Sequence, residues 1–271
     1  MSLQRSKIAW TDYSGGCANF IIGRTPVSEA CQNCYARTII EDRGGRDFST
    51  ISFYPEKLRQ LRNAKFSTDT ATFRRGVGSK SLVFVVDLGD LFHPLVPQEF
   101  IYNFLVLCHD RRDVDWQVLT KRPERMCKVI LNFYEQSSYP LLQNLWLGTT
   151  VENQHRADER IPILLRTPAA VRFVSCEPLL ESISLEPFLQ YPPMHDNYKL
   201  TFGANEWCGL DWVIVGAESG AKRRSFDVAW AKDLYQQCQQ AGVKFFAKQD
   251  SGLYPGAPLL IDGRVIQEFP R

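Results

Sequence analysis

No apolar run in this 271-residue chain approaches the ~20 residues that a membrane-spanning helix needs. The opening stretch, Met1-Ser2-Leu3-Gln4-Arg5, has no apolar core of the kind a secretion signal carries. No membrane partner is expected, and the expected location is the cytoplasm. Excess charge is lacking as well: 32 Lys and Arg against 30 Asp and Glu leave a net charge of +2. That field is too weak to announce nucleic acid or a membrane surface, so any basic site has to be local. Histidines number only four, His93, His109, His155 and His195, and no internal repeat or low-complexity tract interrupts the chain. What remains is a globular composition, 44% hydrophobic and 12% aromatic, sufficient for the core of one large domain or two small ones.

Short β-branched or aromatic runs recur at Ile8–Thr11, Ile51–Tyr54, Leu82–Asp87, Trp116–Thr120, Leu145–Thr149, Val171–Cys176, Trp212–Gly216 and Val243–Lys248. Each reads as a strand buried on both faces. Amphipathic stretches lie between them at Pro55–Ala64, Pro97–Asp110, Pro123–Tyr134, Gln154–Leu165 and Phe226–Ala241, several with proline at a first-turn position. Eight strands, seven followed by a helix-sized segment, predict an α/β fold with a parallel (β/α) barrel, TIM-barrel-like, full or partial. A single domain over 1–271 is expected, with an insertion at about 186–210. Asp262-Gly263 between apolar flanks predicts a short C-terminal β-hairpin, part of a cap at about 251–271.

Active sites of parallel barrels are built at the carboxyl ends of the strands. Here those ends are polar in succession: Asp87 to Asp90, Thr120-Lys121-Arg122, Thr149 to Glu152, Ser175-Cys176-Glu177, Gly216 to Gly220 and Lys248-Gln249-Asp250. Any one of these is an ordinary solvated loop, but six together suggest one polar pocket.

Eight cysteines exceed what packing requires in a compartment that keeps thiols reduced. Cys108, Cys127 and Cys238 sit in helix-like stretches and read as small buried hydrophobes. Cys17, Cys31 and Cys34 instead crowd into eighteen residues as Cys-x13-Cys-x2-Cys, the first in a glycine-rich loop. Ser28 is positioned to cap a helix start that places Cys31 and Cys34 on one side, where thiolates are favoured. Three cysteines without a fourth suit a [4Fe-4S] cluster with one iron left open. Zinc would want a fourth Cys or His, which Cys176 or Cys208 could supply through space, so zinc stays open, as do unligated thiols.

Several segments together resemble the phage-associated three-cysteine-motif family, relatives of the radical S-adenosylmethionine enzymes. They are Lys7 to Asp12, Cys31 to Ala36, Asp90-Leu91-Phe92-His93, Leu119 to Arg125, Ser175 to Leu180, Val215 to Gly220 and Phe246 to Gln249. The resemblance runs nearly end to end. It implies a barrel with the cluster on Cys17, Cys31 and Cys34 after the first strand, and S-adenosylmethionine bound across the strand ends. It departs from the radical enzymes in two ways. Thirteen residues stand between the first two cysteines where those enzymes have three, and Asn33 stands where they have an aromatic residue, with Tyr35 just after the third cysteine.

On this reading the reduced cluster cleaves S-adenosylmethionine to a 5′-deoxyadenosyl radical, with the electron from a flavodoxin- or ferredoxin-like donor. Holding a sulfonium with a zwitterionic tail needs carboxylates and hydroxyls. The candidates are Asp87, Thr149, Glu177 and Glu218, with Ser175, Gly216 and Tyr35 beside them and Glu177 and Glu218 as catalytic residues. An aromatic stretch from Tyr191 to Trp212 is a candidate lid. Lys121 and Arg122, and Lys222, Arg223 and Arg224, follow strands and are placed to grip a phosphate, so the expected substrate is a nucleotide or a modified phage DNA base. Lys65, Arg74, Arg75 and Lys80 fall at the opposite end and read as a solvated loop. Two other readings stay open: a zinc-binding, nucleic-acid-associated protein without enzymatic activity, and a glycosidase using Glu177 and Glu218.

Overall fold

A computed structural model describes residues 3–42, 44–189 and 209–270. The first third of the chain is made of short pieces: β1 (Gln4–Arg5), β2 (Tyr13–Ser14), β3 (Ile21–Ile22), α1 (Tyr35–Ile40), β4 (Ser52–Phe53), α2 (Pro55–Arg62) and α3 (Asp69–Arg75). From there strands and helices alternate, as the sequence predicts. They are β5 (Ser81–Phe84), α4 (Gln98–Asp110), β6 (Val114–Thr120), α5 (Pro123–Gln136), β7 (Leu145–Thr150), α6 (Gln154–Leu165), β8 (Val171–Cys176), α7 (Glu186–Leu189), β9 (Trp212–Gly216), α8 (Val228–Ala241) and β10 (Lys244–Gln249). The hairpin β11 (Leu260–Ile261) and β12 (Arg264–Val265) follows, its Asp262 and Gly263 at φ 48° and 76°, the left-handed pair that a tight two-residue turn demands.

One sheet runs in the order β1-β2-β5-β6-β7-β8-β9-β10, antiparallel between β1 and β2 and parallel at every later step. The order is linear, so the expected barrel is an open, curled half-barrel. Two of the eight expected strands are not in it. Ile8–Thr11 is a turn that carries Trp10 into the interior, while Thr11 Oγ1 donates to the Leu82 carbonyl at 3.1 Å. Ile51–Tyr54 contributes β4, which pairs with β3 in a separate two-stranded sheet.

Alternation along each strand sorts side chains to two faces. Outward residues such as Val83, Trp116, Leu147, Val174, Val213 and Phe245 pack under the helices in the main core. Helix α5 shows why it lies there: Met126, Val129, Ile130 and Phe133 repeat at helical spacing and are all buried. Inward residues make a second, largely aromatic core of Trp10, Phe84, Trp146, Phe173, Trp212 and Phe246. Trp212 stands edge-on to Trp10, Trp146 and Phe246 with centroids about 6 Å apart, the arrangement that ring quadrupoles favour. Gly148 makes room for Phe173, whose ring atoms would lie 2.5 Å from an added Cβ.

Cys108 and Cys238 are buried in the helix-side core as expected, and Cys127 is half-buried. The basic stretch before β5 is not simply solvated: Arg75 Nη2 lies 2.6 Å from the carboxylate of Asp12, which has no exposed side-chain surface, and the Arg75 side chain is only 8% exposed. Of the expected insertion, 186–189 form α7 on the core and 209–210 lead into β9, while 190–208 lie outside the described residues. His195, Cys208 and most of the expected lid fall there, and Trp212 is a core residue of β9.

Candidate active site

Strand register places a polar layer directly above the aromatic core. Ser175 pairs with Thr150 across β7 and β8, and one step further up come Glu177, Gly216 and Lys248. The ladder between β9 and β10 skips Lys248, pairing Ala247 with Val215 and Gln249 with Gly216. A bulge of this kind re-aims one side chain, and Lys248 Nζ reaches Glu177 Oε1 at 2.7 Å. On its other oxygen Glu177 accepts from Ser175 Oγ at 2.9 Å and Trp10 Nε1 at 3.3 Å. Gly216 leaves the space Glu177 occupies, since a Cβ there would stand 2.9 Å from Oε1. The carboxylate is therefore fixed by donors from three separate segments.

Across the mouth lies the cysteine loop. Cys31 closes a 3-10 turn (Glu29–Cys31) and Cys34 stands at the start of α1. Arg24 Nη2 donates to Cys34 Sγ at 2.9 Å, and the charge of Arg24 is also felt at Cys31. Lys121 lies within electrostatic reach of both thiols and donates to Thr150 Oγ1 at 3.4 Å. Burial, the largest influence on Cys31, pushes its pKa up, but Lys121, the backbone at Val27 and Ser28, and Arg24 outweigh it and the net direction is down. For Lys121 burial dominates and draws the pKa down. Tyr35 joins the two sides: its phenol donates to the Asp87 carbonyl at 3.0 Å and is in electrostatic reach of Arg24, Cys34 and Glu177.

Asp87 follows a strained residue, Val86, whose φ of 59° is rarely adopted by a β-branched side chain and ends β5 in a turn. Burial raises the pKa of Asp87 despite help from Asn19, and its Oδ1 is buried without a hydrogen-bond partner. Such an orphan costs about 1–3 kcal/mol unless something satisfies it, which marks the mouth as a place for a polar ligand.

Several of the other sequence candidates are engaged in contacts within the fold. Glu218 accepts from Asn33 Nδ2 at 2.9 Å and Arg224 N at 2.8 Å, and its carboxylate is gripped by the Arg224 guanidinium. Burial pushes its pKa up, but Arg224 and Asn33 bring it below the ordinary value. Since Asn33 lies between Cys31 and Cys34 and also donates to the Lys222 carbonyl at 2.8 Å, Glu218 ties the cysteine loop to the end of β9. Arg223 donates to Ser251 Oγ and the Gly220 carbonyl, and Arg122 to Thr25 Oγ1 at 2.7 Å. Thr149 shares the outward parity of Leu147 and donates to the Thr120 carbonyl at 2.9 Å, while its neighbour Thr150 faces the mouth. Trp10, Arg24, Thr150 and Lys248 complete the site without having been named as candidates, although Thr150 and Lys248 lie in polar strand ends that pointed to the pocket.

Cys17 is placed elsewhere. It lies in the 3-10 turn Gly16–Ala18, in the main core with Phe20, Leu58 and Leu61, and burial raises its pKa. Among the described residues no three His, Cys, Asp or Glu side chains gather closely enough to hold a metal ion. Cys31 and Cys34 stand by Arg24 and Lys121 at the mouth, Cys17 belongs to the main core, and Cys176 is buried on the helix side.

A family model described as "Protein of unknown function (DUF5131)" matches residues 5–258. No curated relative matches the chain. Among solved structures the chain is similar to spore photoproduct lyase complexed with dinucleoside spore photoproduct, at TM-score 0.48 and 10% identity, covering 93% of this chain and 79% of that one. It is also similar to a mutant of that lyase with bound AdoMet and dinucleoside spore photoproduct, at TM-score 0.47 and 9% identity, with the same shares covered. At these values no site residue is carried across.

Proposed function

The chain belongs to the DUF5131 family, and from the mouth of its half-barrel we propose that it is a single-domain enzyme that binds S-adenosylmethionine and acts on a phosphorylated nucleotide or DNA base. The observation that carries the location is the clamp on Glu177: an inward carboxylate fixed by Lys248, Ser175 and Trp10, beside a glycine that leaves it room. A solvated carboxylate needs no such scaffold, whereas a preorganised binding group does. The ligand follows from chemistry and from the resemblance to radical S-adenosylmethionine enzymes. Glu177 and Asp87 offer acceptors to ribose hydroxyls, an ammonium group or a sulfonium, and Lys121 and Lys248 face a carboxylate or phosphate. Bound S-adenosylmethionine supplies carbon groups activated by its sulfonium. The aromatic core below the polar layer closes the floor to water. No step is routed through an iron–sulfur cluster, and the electron donor expected with it is not part of this proposal.

Isothermal titration of the full chain with S-adenosylmethionine and S-adenosylhomocysteine tests the reading. Saturable binding is expected, with Glu177→Gln weakening it at least about tenfold, or about 1.4 kcal/mol, while circular dichroism stays unchanged. If the wild-type chain binds neither compound, the proposal fails.

A further inference from the structure

The loops that follow β9 and β10 are tied into one rim beside the mouth. Gly220 N–H donates to the Gly252 carbonyl at 2.9 Å, and Ser219 bridges Gly252 in parallel. Arg223 Nε donates to Ser251 Oγ at 3.1 Å and its Nη1 to the Gly220 carbonyl at 3.0 Å. The second loop is closed at its own base, where Asp250 N–H donates to the Ala257 carbonyl at 2.8 Å. Asn33 donates to the Lys222 carbonyl at 2.8 Å and so joins this rim to the cysteine loop. These bonds fix both loops and leave their tips in solvent.

The tips present an aromatic ring next to two cations. Leu253 is 61% exposed and Tyr254 83%. A single exposed apolar side chain is ordinary on a protein surface, but here two stand together on a tethered tip. Lys222 and Arg223 are exposed and form no ion pair among the described residues. The carboxylates of the two loops are engaged, Glu218 by Arg224 and Asp250 by the Ser251 N–H at 2.6 Å. Tyr254 and Lys222 each lie two residues from the bond between Gly220 and Gly252, no more than about 7 Å of chain. An exposed ring stacks a nucleobase of any sequence, and cations beside it neutralise the phosphates that flank that base. A duplex shows only base edges in its grooves, so the ring finds a face only on an unpaired strand.

We propose that this rim binds single-stranded nucleic acid, with one base stacked on Tyr254 and the adjoining phosphates held by Lys222 and Arg223. The inference deepens the proposed function and rests on its substrate half: the base that enters the mouth belongs to a strand, and the rim holds that base's neighbours. DNA and RNA offer the same ring faces and phosphates, and separate arms of the test distinguish them.

Fluorescence anisotropy of the full chain with a short labelled single strand, in DNA and in RNA form, tests this beside a blunt DNA duplex of the same length. Saturable binding of a single strand is expected, tighter than that of the duplex. Tyr254→Ala should weaken it about tenfold, and Tyr254→Phe, which keeps the ring, should retain it. Replacing Lys222 and Arg223 together by Gln should lower the slope of log affinity against log salt by about 1–2. The circular dichroism of every variant should match the wild type, as should S-adenosylmethionine binding by the two Tyr254 variants. A wild-type chain that binds neither single strand overturns the inference, and so does binding that Tyr254→Ala leaves intact or a duplex bound as tightly. A concentration-dependent dimer that Tyr254→Ala disperses, without strand binding, assigns the tip to a second copy of the chain instead. A chain that binds S-adenosylmethionine but no strand sinks this inference alone, whereas one that binds a strand but no S-adenosylmethionine sinks the cofactor reading and leaves the rim.

Discussion

Asp12 has no exposed side-chain surface, and its Oδ2 accepts from Arg75 Nη2 at 2.6 Å and from the Leu82 N–H at 2.8 Å, with Arg74 Nη1 3.6 Å from Oδ1. Removing the carboxylate strands a buried cation and a buried N–H together. Asp12→Ala should therefore cost about 3–5 kcal/mol, read as a shift of the urea midpoint at unchanged slope. Asp115 is the opposite case. Burial pushes its pKa up to about 6 from 3.8, against the partial pull of Lys80 at 3.9 Å and of Arg75. Between about pH 4 and 6 the folded chain holds a proton that the unfolded chain has released, so stability falls as pH rises through that window, by up to about 3 kcal/mol. Asp115→Asn should flatten that slope and raise stability at pH 7 by about 1–2 kcal/mol. Urea melts at pH 4, 5, 6 and 7 check it, and an unchanged slope in the variant would refute the assignment.

Strands that pair along their whole length were legible as apolar runs, and β5 to β10 all fall within or beside the expected stretches. Those whose partners lie elsewhere were not. Periodicity marks a segment as extended without saying what it pairs with, so β4 could not be told from a sheet strand, nor the Ile8–Thr11 turn from the first strand of a barrel. The site followed the same division. Ser175, Glu177 and Gly216 sit at strand ends and could be found by that rule, but Trp10 and Arg24 arrive from loops whose path no local pattern encodes. Thr149 and Thr150 could not be ranked because β7 is buried on both faces, which silences its alternation. That double burial also makes β7 intolerant. In Gly148→Ala the new methyl meets the ring of Phe173, which has no exposed surface and is held by Trp10 and Trp212. A loss of about 2–3 kcal/mol is expected, seen as a lowered Tm, with near-ultraviolet circular dichroism reporting the disturbed tryptophans.

An open sheet has two edges, and an unpaired edge invites association. The edge of β10 is covered by the tail: Ala247 N–H donates to the Ile266 carbonyl at 2.8 Å, and Glu268 N–H to the Phe245 carbonyl at 2.9 Å. Phe269 extends the cover across the gap, against Trp212 and Phe246 on one side and the guanidinium groups of Arg74 and Arg75 on the other. Deleting residues 264–271 should lower Tm and shift the chain toward concentration-dependent oligomers in size-exclusion chromatography with light scattering. A monomer of wild-type Tm would show that the tail is dispensable.

Because the tail follows β10 in the chain, the two must find each other as the molecule folds. Until Ile266 and Glu268 pair with Ala247 and Phe245, β10 carries bare N–H and C=O groups, and in that interval the half-barrel is most open to capture by a strand from a neighbouring molecule.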